Sequence, residues 1–231
     1  MENREPGHIR INPPFFSPRK YYFKQLRKQI ENVIAGYVKN RNYKTLIDYG
    51  CGNCPYQPFF MKQVGEYFPA DFADNPAASI PLNPDGSIPG NDGKFDIVLS
   101  TQVLEHVSDP SRYLSEALRV IKQTGILILS THGYWMYHPD PVDYWRWTSA
   151  GLEKIITEAG FEIIYFTGIL GRNASGLQLF QDGFYFKLPS FLKPLWAVMM
   201  QWLISFTDKL NSREARNRDA CTFILVAKVK S

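Results

Sequence analysis

The segment LIDYGCGNCPYQ, residues 46–57, carries two overlapping patterns that point to different chemistry. Cys51 and Cys54 form a C-x-x-C pair, which is typical of thiol redox centres and of half a zinc site. Asp48, Gly50 and Gly52 follow an apolar run, and this order is typical of a strand that enters a glycine turn around a nucleotide. The same loop is therefore a candidate for either chemistry.

The redox and zinc alternatives find little support elsewhere in the chain. Structural zinc needs four ligands, whereas the remaining cysteine, Cys221, lies in an apolar strand pattern and the four histidines are dispersed. The proline loop that partners a thioredoxin-like active site has no counterpart that we can identify. We predict no metal site and assign Cys51 and Cys54 to packing of the loop, with redox or metal roles as the alternative.

Asp71 strengthens the nucleotide interpretation. It ends a short strand pattern in GEYFPAD about twenty residues after the glycine turn, where a carboxylate can accept hydrogen bonds from both hydroxyls of a ribose. In an open α/β sheet, such residues meet at the carboxyl ends of the strands.

Polar and aromatic residues concentrate in THGYWMYHPDPVDYWRWT, residues 131–148. His132 and His138 are candidate bases for deprotonating a nucleophile. Asp143 and Arg146, three positions apart, are predicted to pair with each other, or Arg146 binds a phosphate or carboxylate of a substrate. The aromatic residues are predicted either to pack in the core or to offer a face to a sugar ring: Tyr134, Trp135, Tyr137, Tyr144, Trp145 and Trp147.

Glu105 and His106 form a further polar pair, after the apolar run FDIVLS. We expect them to orient the start of a helix and to line the cofactor pocket, with direct catalysis as the alternative.

The hydrophobic pattern predicts the scaffold that holds these residues. The strand-length runs are TLIDYG, FDIVLS, ILILST, FEIIYFTG and CTFILVAKV, with a shorter strand in GEYFPAD. Helical periodicity separates them, including a helix capped by Asp109 and ended by Gly125 and another stopped by Gly160. A proline-rich arm, INPPFFSPRK, is predicted to be extended and precedes an N-terminal helix. This alternation predicts an open α/β sheet with helices on both faces.

Composition sets broad limits on the class of protein. The chain has 231 residues, 45% hydrophobic and 21% charged, which is typical of a folded globular domain. The net charge of +4 is scattered and gives no nucleic-acid signature. The polar N-terminus resembles neither a signal nor a transit peptide, and the odd cysteine count argues against a disulfide framework, so we expect a cytoplasmic protein.

Three stretches taken together resemble the class I S-adenosylmethionine-dependent methyltransferases: LIDYGCGNCPY, KFDIVLSTQVLEHVSDPSRYLSEALRVIKQTGILILST and DYWRWTSAGLEKIITEAGFEI. The nearest branch is one associated with bacterial glycan and polysaccharide biosynthesis, within the type 11 methyltransferase domains. The resemblance implies a Rossmann-like, mostly parallel seven-stranded sheet with an antiparallel last strand. It implies an arm and helix at 1–42 and a methyltransferase domain at 43–231.

The resemblance also assigns roles to individual residues. The glycine loop faces the methionine part of S-adenosylmethionine, Asp71 accepts the ribose hydroxyls, and the loop NPDGSIP holds adenine. The residues so assigned to the cofactor are Asp48, Gly50, Cys51, Gly52, Asp71, Asn83, Asp85 and Gln102. Cys54 replaces a third glycine of the family loop, so either the turn avoids positive φ there or the loop is shifted. Asn83 stands where an acid is expected, and its amide can still accept from adenine.

The resemblance, and it alone, implies that the reaction is O-methylation of a sugar or glycan intermediate. The alternatives are methylation of a quinone or amine, or a cofactor-binding protein without activity that binds a partner through its insertion. A dehydrogenase is disfavoured because GCGNCP lacks the full dinucleotide-binding glycine pattern. An apolar helical insertion is predicted at about 169–220, where residues 190–209 form a dimer seam or a peripheral contact with the inner face of a membrane.

Overall fold

The computed structural model of the protein describes residues 7–230, and a seven-stranded sheet forms its centre. The strands are β1 (Thr45–Tyr49), β2 (Glu66–Asp71), β3 (Ile80–Pro81), β4 (Phe95–Thr101), β5 (Ile121–His132), β6 (Phe161–Gly171) and β7 (Ala220–Val229). Their order across the sheet is β3-β2-β1-β4-β5-β7-β6. Only β7 runs antiparallel to its neighbours, β5 and β6. The predicted fold class is confirmed.

Helices cover both faces of this sheet. They are α1 (Gly7–Ile11), α2 (Lys20–Val33, continued by a π-helical turn at Ile34–Val38), α3 (Gln57–Phe60), α4 (Pro110–Val120), α5 (Ser149–Glu158), α6 (Arg172–Tyr185), α7 (Lys193–Lys209) and α8 (Arg213–Arg218). Because side chains alternate along a strand, Leu46 of β1 packs on the face of α2 and α7, whereas Ile47 packs on the face of α4 and α5. β4 is buried throughout, as its continuous apolar run predicts.

The start of α4 follows the sequence signal, whereas its end does not. Asp109 caps the helix by accepting from the backbone N–H of Arg112 at 3.0 Å. The prediction that Gly125 ends the helix is wrong, because α4 ends at Val120 and Gly125 lies inside β5. A Cβ at position 125 would stand 2.7 Å from the carbonyl oxygen of Asp96. This glycine therefore serves a close approach between β5 and β4.

The N-terminal arm is not extended, contrary to prediction. α1 precedes this arm and overlaps it only at Ile11, and a turn from Pro14 to Ser17 leads into α2. The carbonyl oxygen of Pro18 accepts from the side-chain amides of three buried residues of the insertion, Gln178, Gln181 and Gln201. These bonds fix the arm against α6 and α7. Residues 1–6, used in the prediction about targeting peptides, lie outside the described part of the chain.

The insertion before β7 consists of α6, α7 and α8. Its inner side is buried, with Ala174, Met200 and Ile204 in the same core as α2. Its outer side exposes large apolar side chains, among them Phe191, Leu195 and Trp202. Within residues 7–230, every helix falls short of the length and apolarity that a bilayer crossing requires.

Candidate functional site

The glycine loop begins directly after β1 and turns towards the end of β2. The backbone N–H groups of Gly50 and Cys51 both donate to the carbonyl oxygen of Ala70, at 2.8 and 3.0 Å. Gly50 has a φ of +79° and Gly52 a φ of +52°. A Cβ at Gly50 would also lie 2.7 Å from Cγ2 of Val103. Backbone conformation and space therefore both require glycine at position 50.

Cys54 adopts a φ of +48°, so the loop keeps its left-handed turn in spite of a Cβ. The alternative that the turn avoids positive φ at Cys54 is wrong, and a shift of the loop stays a prediction. Such a conformation costs a non-glycine residue about 1–2 kcal/mol. Cys51 and Cys54 are both free thiols. The hydrogen bond between them, with burial, raises the pKa of Cys51, and the same bond lowers the pKa of Cys54.

Asp71, at the end of β2, ties the loop to the sheet. Its Oδ2 accepts from the backbone N–H of Gly52 at 3.0 Å and from the amide of Asn75 at 2.7 Å, and its Oδ1 accepts from the N–H of Phe72. Asn75 also donates to the carbonyl oxygen of Gly52 at 2.9 Å. The carboxylate lines the cleft beside the loop.

Asp48 is fully buried beneath the loop, away from the cleft wall. The hydroxyl of Tyr67 donates to its Oδ2, whereas its Oδ1 is buried without a hydrogen-bond partner among the described residues. Burial raises the pKa of Asp48 to about 7, although the Tyr67 bond opposes this shift. The structure thus places Asp48 as a support under the loop.

The two residues expected at adenine are placed differently. Asp85 lines the cleft, pairs with Arg112 at 2.5 Å and accepts from the hydroxyl of Ser87 at 2.7 Å. Asn83 instead turns its amide to the same Ser87 hydroxyl, at 2.9 Å. The hydroxyl of Tyr49 donates to the carbonyl oxygen of Gly86 at 2.6 Å and holds this loop against β1.

These elements enclose a cleft of about 740 Å³ at the carboxyl ends of β1, β2 and β4. Strand order reverses between β1 and β4, which is where open α/β sheets bind ligands. The cleft is lined by Gly50, Cys51, Gly52, Asp71, Asp85 and Gln102, together with Leu82, Val103, His106 and Tyr144. It therefore gathers most of the residues assigned to the cofactor from sequence.

Gln102 connects the cleft to the N-terminal helix. It has a φ of +58°, and its side-chain oxygen accepts from the hydroxyl of Tyr22 in α2 at 3.2 Å. That hydroxyl lies 3.0 Å from Oγ1 of Thr222 in β7, which in turn lies 3.0 Å from Nδ1 of His132. A chain of hydrogen bonds thus joins Gln102, which lines the cleft, to His132.

His132, the last residue of β5, is buried and lies behind the cleft. Its ring stacks on Trp135 with centroids 4.7 Å apart. Burial, followed by the neighbouring His138, lowers the pKa of His132 well below its ordinary value, so the imidazole is neutral near pH 7. A neutral imidazole can accept a proton or bind a metal ion.

Glu105 faces His132 from the segment after β4. It is wholly buried, and burial raises its pKa. Its Oε2 accepts from the hydroxyl of Thr131 at 2.8 Å. Its Oε1 has no hydrogen-bond partner among the described residues and stands 3.5 Å from Nε2 of His132. The sequence predicted that Glu105 orients a helix start and lines the cofactor pocket, with direct catalysis as the alternative, and gave no signal that it faces His132.

Asp143 and Arg146 form the predicted pair, with Arg146 nitrogens 2.6 and 2.5 Å from the two carboxylate oxygens. Arg146 also donates to the backbone carbonyls of Trp135 and Met136. Burial raises the pKa of Asp143, but the Arg146 bonds, the backbone N–H of His138 and the charges of both side chains together lower it below the usual value. These contacts hold the loop after β5 in place, and they engage the guanidinium of Arg146 with protein groups.

His138 sits between the other two histidines, with ring centroids 5.0 Å from His132 and 4.9 Å from His106. Its Nδ1 lies 3.1 Å from both the Met136 carbonyl oxygen and Asp143 Oδ2. Burial lowers the pKa of His138 to about 4. Of these three histidines, His106 is the one that lines the cleft.

The aromatic stretch divides between packing and exposure. Trp135 packs against the core around α2, and Trp147 packs against the opposite core. Tyr137 is 68% exposed, whereas Tyr144 is 51% exposed and lines the cleft. Trp135 and Trp147 therefore take the predicted packing role, whereas Tyr137 and Tyr144 are exposed and available for contact with a sugar ring.

Comparison with known proteins decides the family. A family model described as a methyltransferase domain matches residues 19–165. The chain belongs to this family. Together with relatives named as S-adenosylmethionine-dependent methyltransferases, the match confirms the predicted class of enzyme and its cofactor class. The match does not show that the chain belongs to the branch associated with glycan biosynthesis.

The curated relatives of this methyltransferase-domain chain are matched over part of their length. Human mitochondrial arginine-hydroxylase NDUFAF5 is 28% identical over 129 residues, which cover 50% of this chain and 37% of the relative. A probable S-adenosylmethionine-dependent methyltransferase of Mycolicibacterium smegmatis is 29% identical over 82 residues, 33% of this chain and 32% of the relative. The chain thus spans about a third of the length of these relatives.

Solved structures share the fold of this methyltransferase domain. The [4+2]-cyclase SpnF has a TM-score of 0.57 at 18% identity, covering 93% of this chain and 85% of its own. Phosphoethanolamine N-methyltransferase 2 of Haemonchus contortus, in complex with S-adenosyl-L-methionine, has a TM-score of 0.57 at 13% identity, covering 94% and 57%. At these identities the likeness concerns the fold alone.

Proposed function

We propose that the protein transfers the methyl group of S-adenosylmethionine to a hydroxyl of a sugar or glycan intermediate. The observation that carries the first part is the cleft at the strand-order reversal, where a glycine loop and the Asp71 carboxylate meet. The acceptor class is inferred from the polar and aromatic segment beside that cleft.

The residues of the cleft fit the proposed cofactor. Asp71 offers acceptors for ribose hydroxyls, and Asp85 offers one for an adenine amino group. Leu82 and Val103 supply apolar surface for a flat ring. The volume of about 740 Å³ lies within the range of small-molecule sites.

S-adenosylmethionine supplies a methyl group on a positively charged sulfur, which leaves as a neutral thioether. An acceptor oxygen forms the new C–O bond as the C–S bond breaks, and the electron pair of that bond goes to sulfur. The protein must align the oxygen, exclude water and receive the hydroxyl proton. The neutral histidines behind the cleft, His132 and His138, are the candidate proton acceptors.

Exposed aromatic rings support a sugar acceptor. Tyr144 lines the cleft, and Tyr137 belongs to the same segment. Aromatic faces suit the apolar face of a sugar ring. A quinone or amine acceptor remains the competing proposal and would favour a closed apolar pocket, whereas Asp140, Ser108 and His106 make this cleft partly polar.

Two measurements test the proposal in sequence. Calorimetric titration with S-adenosylmethionine and with NADH should give micromolar binding of the first alone, and binding of neither would refute the cofactor assignment. Methyl-labelled S-adenosylmethionine is then incubated with nucleotide sugars, lipid-linked glycans, quinones and amines. Transfer to an alkali-stable product of the sugars supports the acceptor class, whereas transfer only to a quinone or an amine refutes it.

We also propose that the outer side of α6 and α7 contacts an anionic lipid surface. Phe191, Leu195 and Trp202 are 77%, 70% and 68% exposed. Between residues 183 and 209 the charged side chains on the surface are lysines, since Asp208 is buried. An apolar helical surface with flanking cations is typical of helices that lie in a membrane interface.

Vesicle flotation tests this contact. The protein should float with phosphatidylglycerol-containing vesicles more strongly than with phosphatidylcholine vesicles. Trp202→Ser should weaken binding about tenfold or more, because a large buried side chain contributes about 1.5–3 kcal/mol. Met61→Ser, at an exposed apolar residue near α3 (57% exposed), is the matched control. A stable dimer by light scattering that Trp202→Ser dissociates, without vesicle binding, would assign this side to a dimer seam instead.

A further inference from the structure

Glu105, His132 and His138 form a cluster that the proposed methyl transfer only partly uses. One potential ligand atom from each residue lies within 4.8 Å of the others. The residues come from the segment after β4, the end of β5 and the following loop, so the fold brings them together from three places. Two imidazoles and one carboxylate are the ligand set of catalytic zinc sites that keep an open position.

We propose that these three side chains bind a divalent transition-metal ion such as Zn²⁺. The separation of 3.5 Å between Glu105 Oε1 and His132 Nε2 is too long for a good hydrogen bond. It is close to the edge of a tetrahedron with metal bonds of about 2.0–2.1 Å, which is roughly 3.3 Å. The two atoms are thus spaced as ligands of one ion.

Glu105 provides the second, independent observation. Its Oε1 is buried and has no hydrogen-bond partner among the described residues, yet it points at the histidine. A buried polar atom without a partner is costly and rare in folded proteins. A metal ion at the centre of the cluster would satisfy it.

The outer contacts of both histidines suit ligation. Nδ1 of His132 lies 3.0 Å from Oγ1 of Thr222, so its Nε2 is the nitrogen that faces the carboxylate. Nδ1 of His138 lies 3.1 Å from the Met136 carbonyl oxygen and from Asp143 Oδ2, two acceptors that favour a proton on Nδ1 over the longer contact of 3.4 Å with the donor Nη2 of Arg146. Metal-binding histidines usually hold their second nitrogen in this way.

The surrounding charges also favour a divalent cation with an additional anionic ligand. Glu105 and Asp143 contribute two negative charges, and Arg146, paired with Asp143, contributes one positive charge. A divalent ion leaves the site with a single positive charge. Its open position then suits an oxygen anion. With the ion bound, His132 and His138 act as ligands, and a different group accepts the hydroxyl proton of the proposed reaction.

Metal binding is tested without cofactor or acceptor, so its outcome is independent of methyl transfer. Chelator-treated full-length protein is titrated with Zn²⁺ against a chromophoric competitor, and with Co²⁺, whose visible absorption reports coordination by nitrogen and oxygen ligands. We expect one equivalent of Zn²⁺ to bind. Glu105→Gln and His138→Ala should each weaken Zn²⁺ binding at least about 100-fold and change the Co²⁺ spectrum.

His106→Ala is the matched control, since His106 contacts the ring of His138 but is outside the cluster. It should retain both the affinity and the spectrum. Thermal unfolding of each variant identifies any that fail to fold, and Glu105→Gln preserves shape. Absence of stoichiometric Zn²⁺ and Co²⁺ binding to the unmodified protein, or equal loss in all three variants, would overturn the proposal.

Discussion

Replacing Asp71 by Asn tests whether this carboxylate binds the cofactor ribose or only shapes the loop. The substitution keeps the volume of the side chain and removes its charge. Hydrogen bonds to charged groups contribute about 1.5–3 kcal/mol each. Loss of one such bond to a ribose hydroxyl should therefore weaken S-adenosylmethionine binding about 10- to 150-fold.

The control must account for the second task of Asp71, because its Oδ2 also accepts from Gly52 and Asn75. Asn75→Ala removes the amide that bridges Asp71 and the Gly52 carbonyl oxygen, but leaves the carboxylate in the cleft. It should change affinity by no more than about threefold. Equal weakening by both substitutions would assign the effect to loop geometry.

The assay is calorimetric titration of both variants with S-adenosylhomocysteine and its 2′-deoxy analogue. The unmodified protein should prefer the ribose form, and Asp71→Asn should lose most of that preference. Thermal unfolding verifies that the variant is folded. An Asp71→Asn protein that binds within about threefold of the unmodified protein, with its ribose preference intact, would refute the assignment of Asp71.

Three further substitutions test the packing of the site. Gly50→Ala should destabilise the protein by about 2–4 kcal/mol in chemical denaturation, because it adds strain at positive φ and a clash with Val103. Adding Val103→Ala should relieve the clash but not the backbone strain, so full recovery of stability would contradict this reasoning. Burial raises the pKa of Asp48 to about 7, so between about pH 4 and 7 the native protein binds more protons than the unfolded chain. The free energy of unfolding should therefore fall with rising pH in this range, by up to about 1.4 kcal/mol per pH unit, and level off above pH 7. Asp48→Asn should remove that fall, and an unchanged slope would show that other groups cause it. Arg146→Lys should lower stability by about 1–3 kcal/mol, since lysine cannot reproduce the forked bonds; a stable variant with weaker binding of phosphorylated acceptors would instead indicate a substrate role.

Local signals identified the strands and much of the cleft. The continuous apolar run of β4 needs burial on both faces, and Asp109 before Pro110 marks a helix start by short-range hydrogen bonding alone. The glycine loop with Asp71 was recognisable because both lie at strand ends, which a parallel sheet brings to one edge. These features depend on residues close in sequence or on a general property of the fold.

Other features had no local signal. Gly125 resembles a helix stop, yet it permits contact with the β4 backbone, which helix periodicity does not report. Tyr22 reads as one apolar position of a helix. Its hydroxyl reaches Gln102, 80 residues away, and Thr222, 200 residues away. Without the tertiary structure, such a polar contact is indistinguishable from ordinary core packing.

The sequence by itself determined the class of fold, the place of the glycine loop and the family, because strand-length apolar runs and glycine turns are encoded within short windows. Only the tertiary structure decided that Glu105 faces His132 and His138 and that Arg146 is committed to Asp143. It also decided that Cys54 accepts a left-handed conformation. Distances between side chains on different strands and loops depend on how the sheet twists and how its connections pack, and no spacing along the chain specifies them.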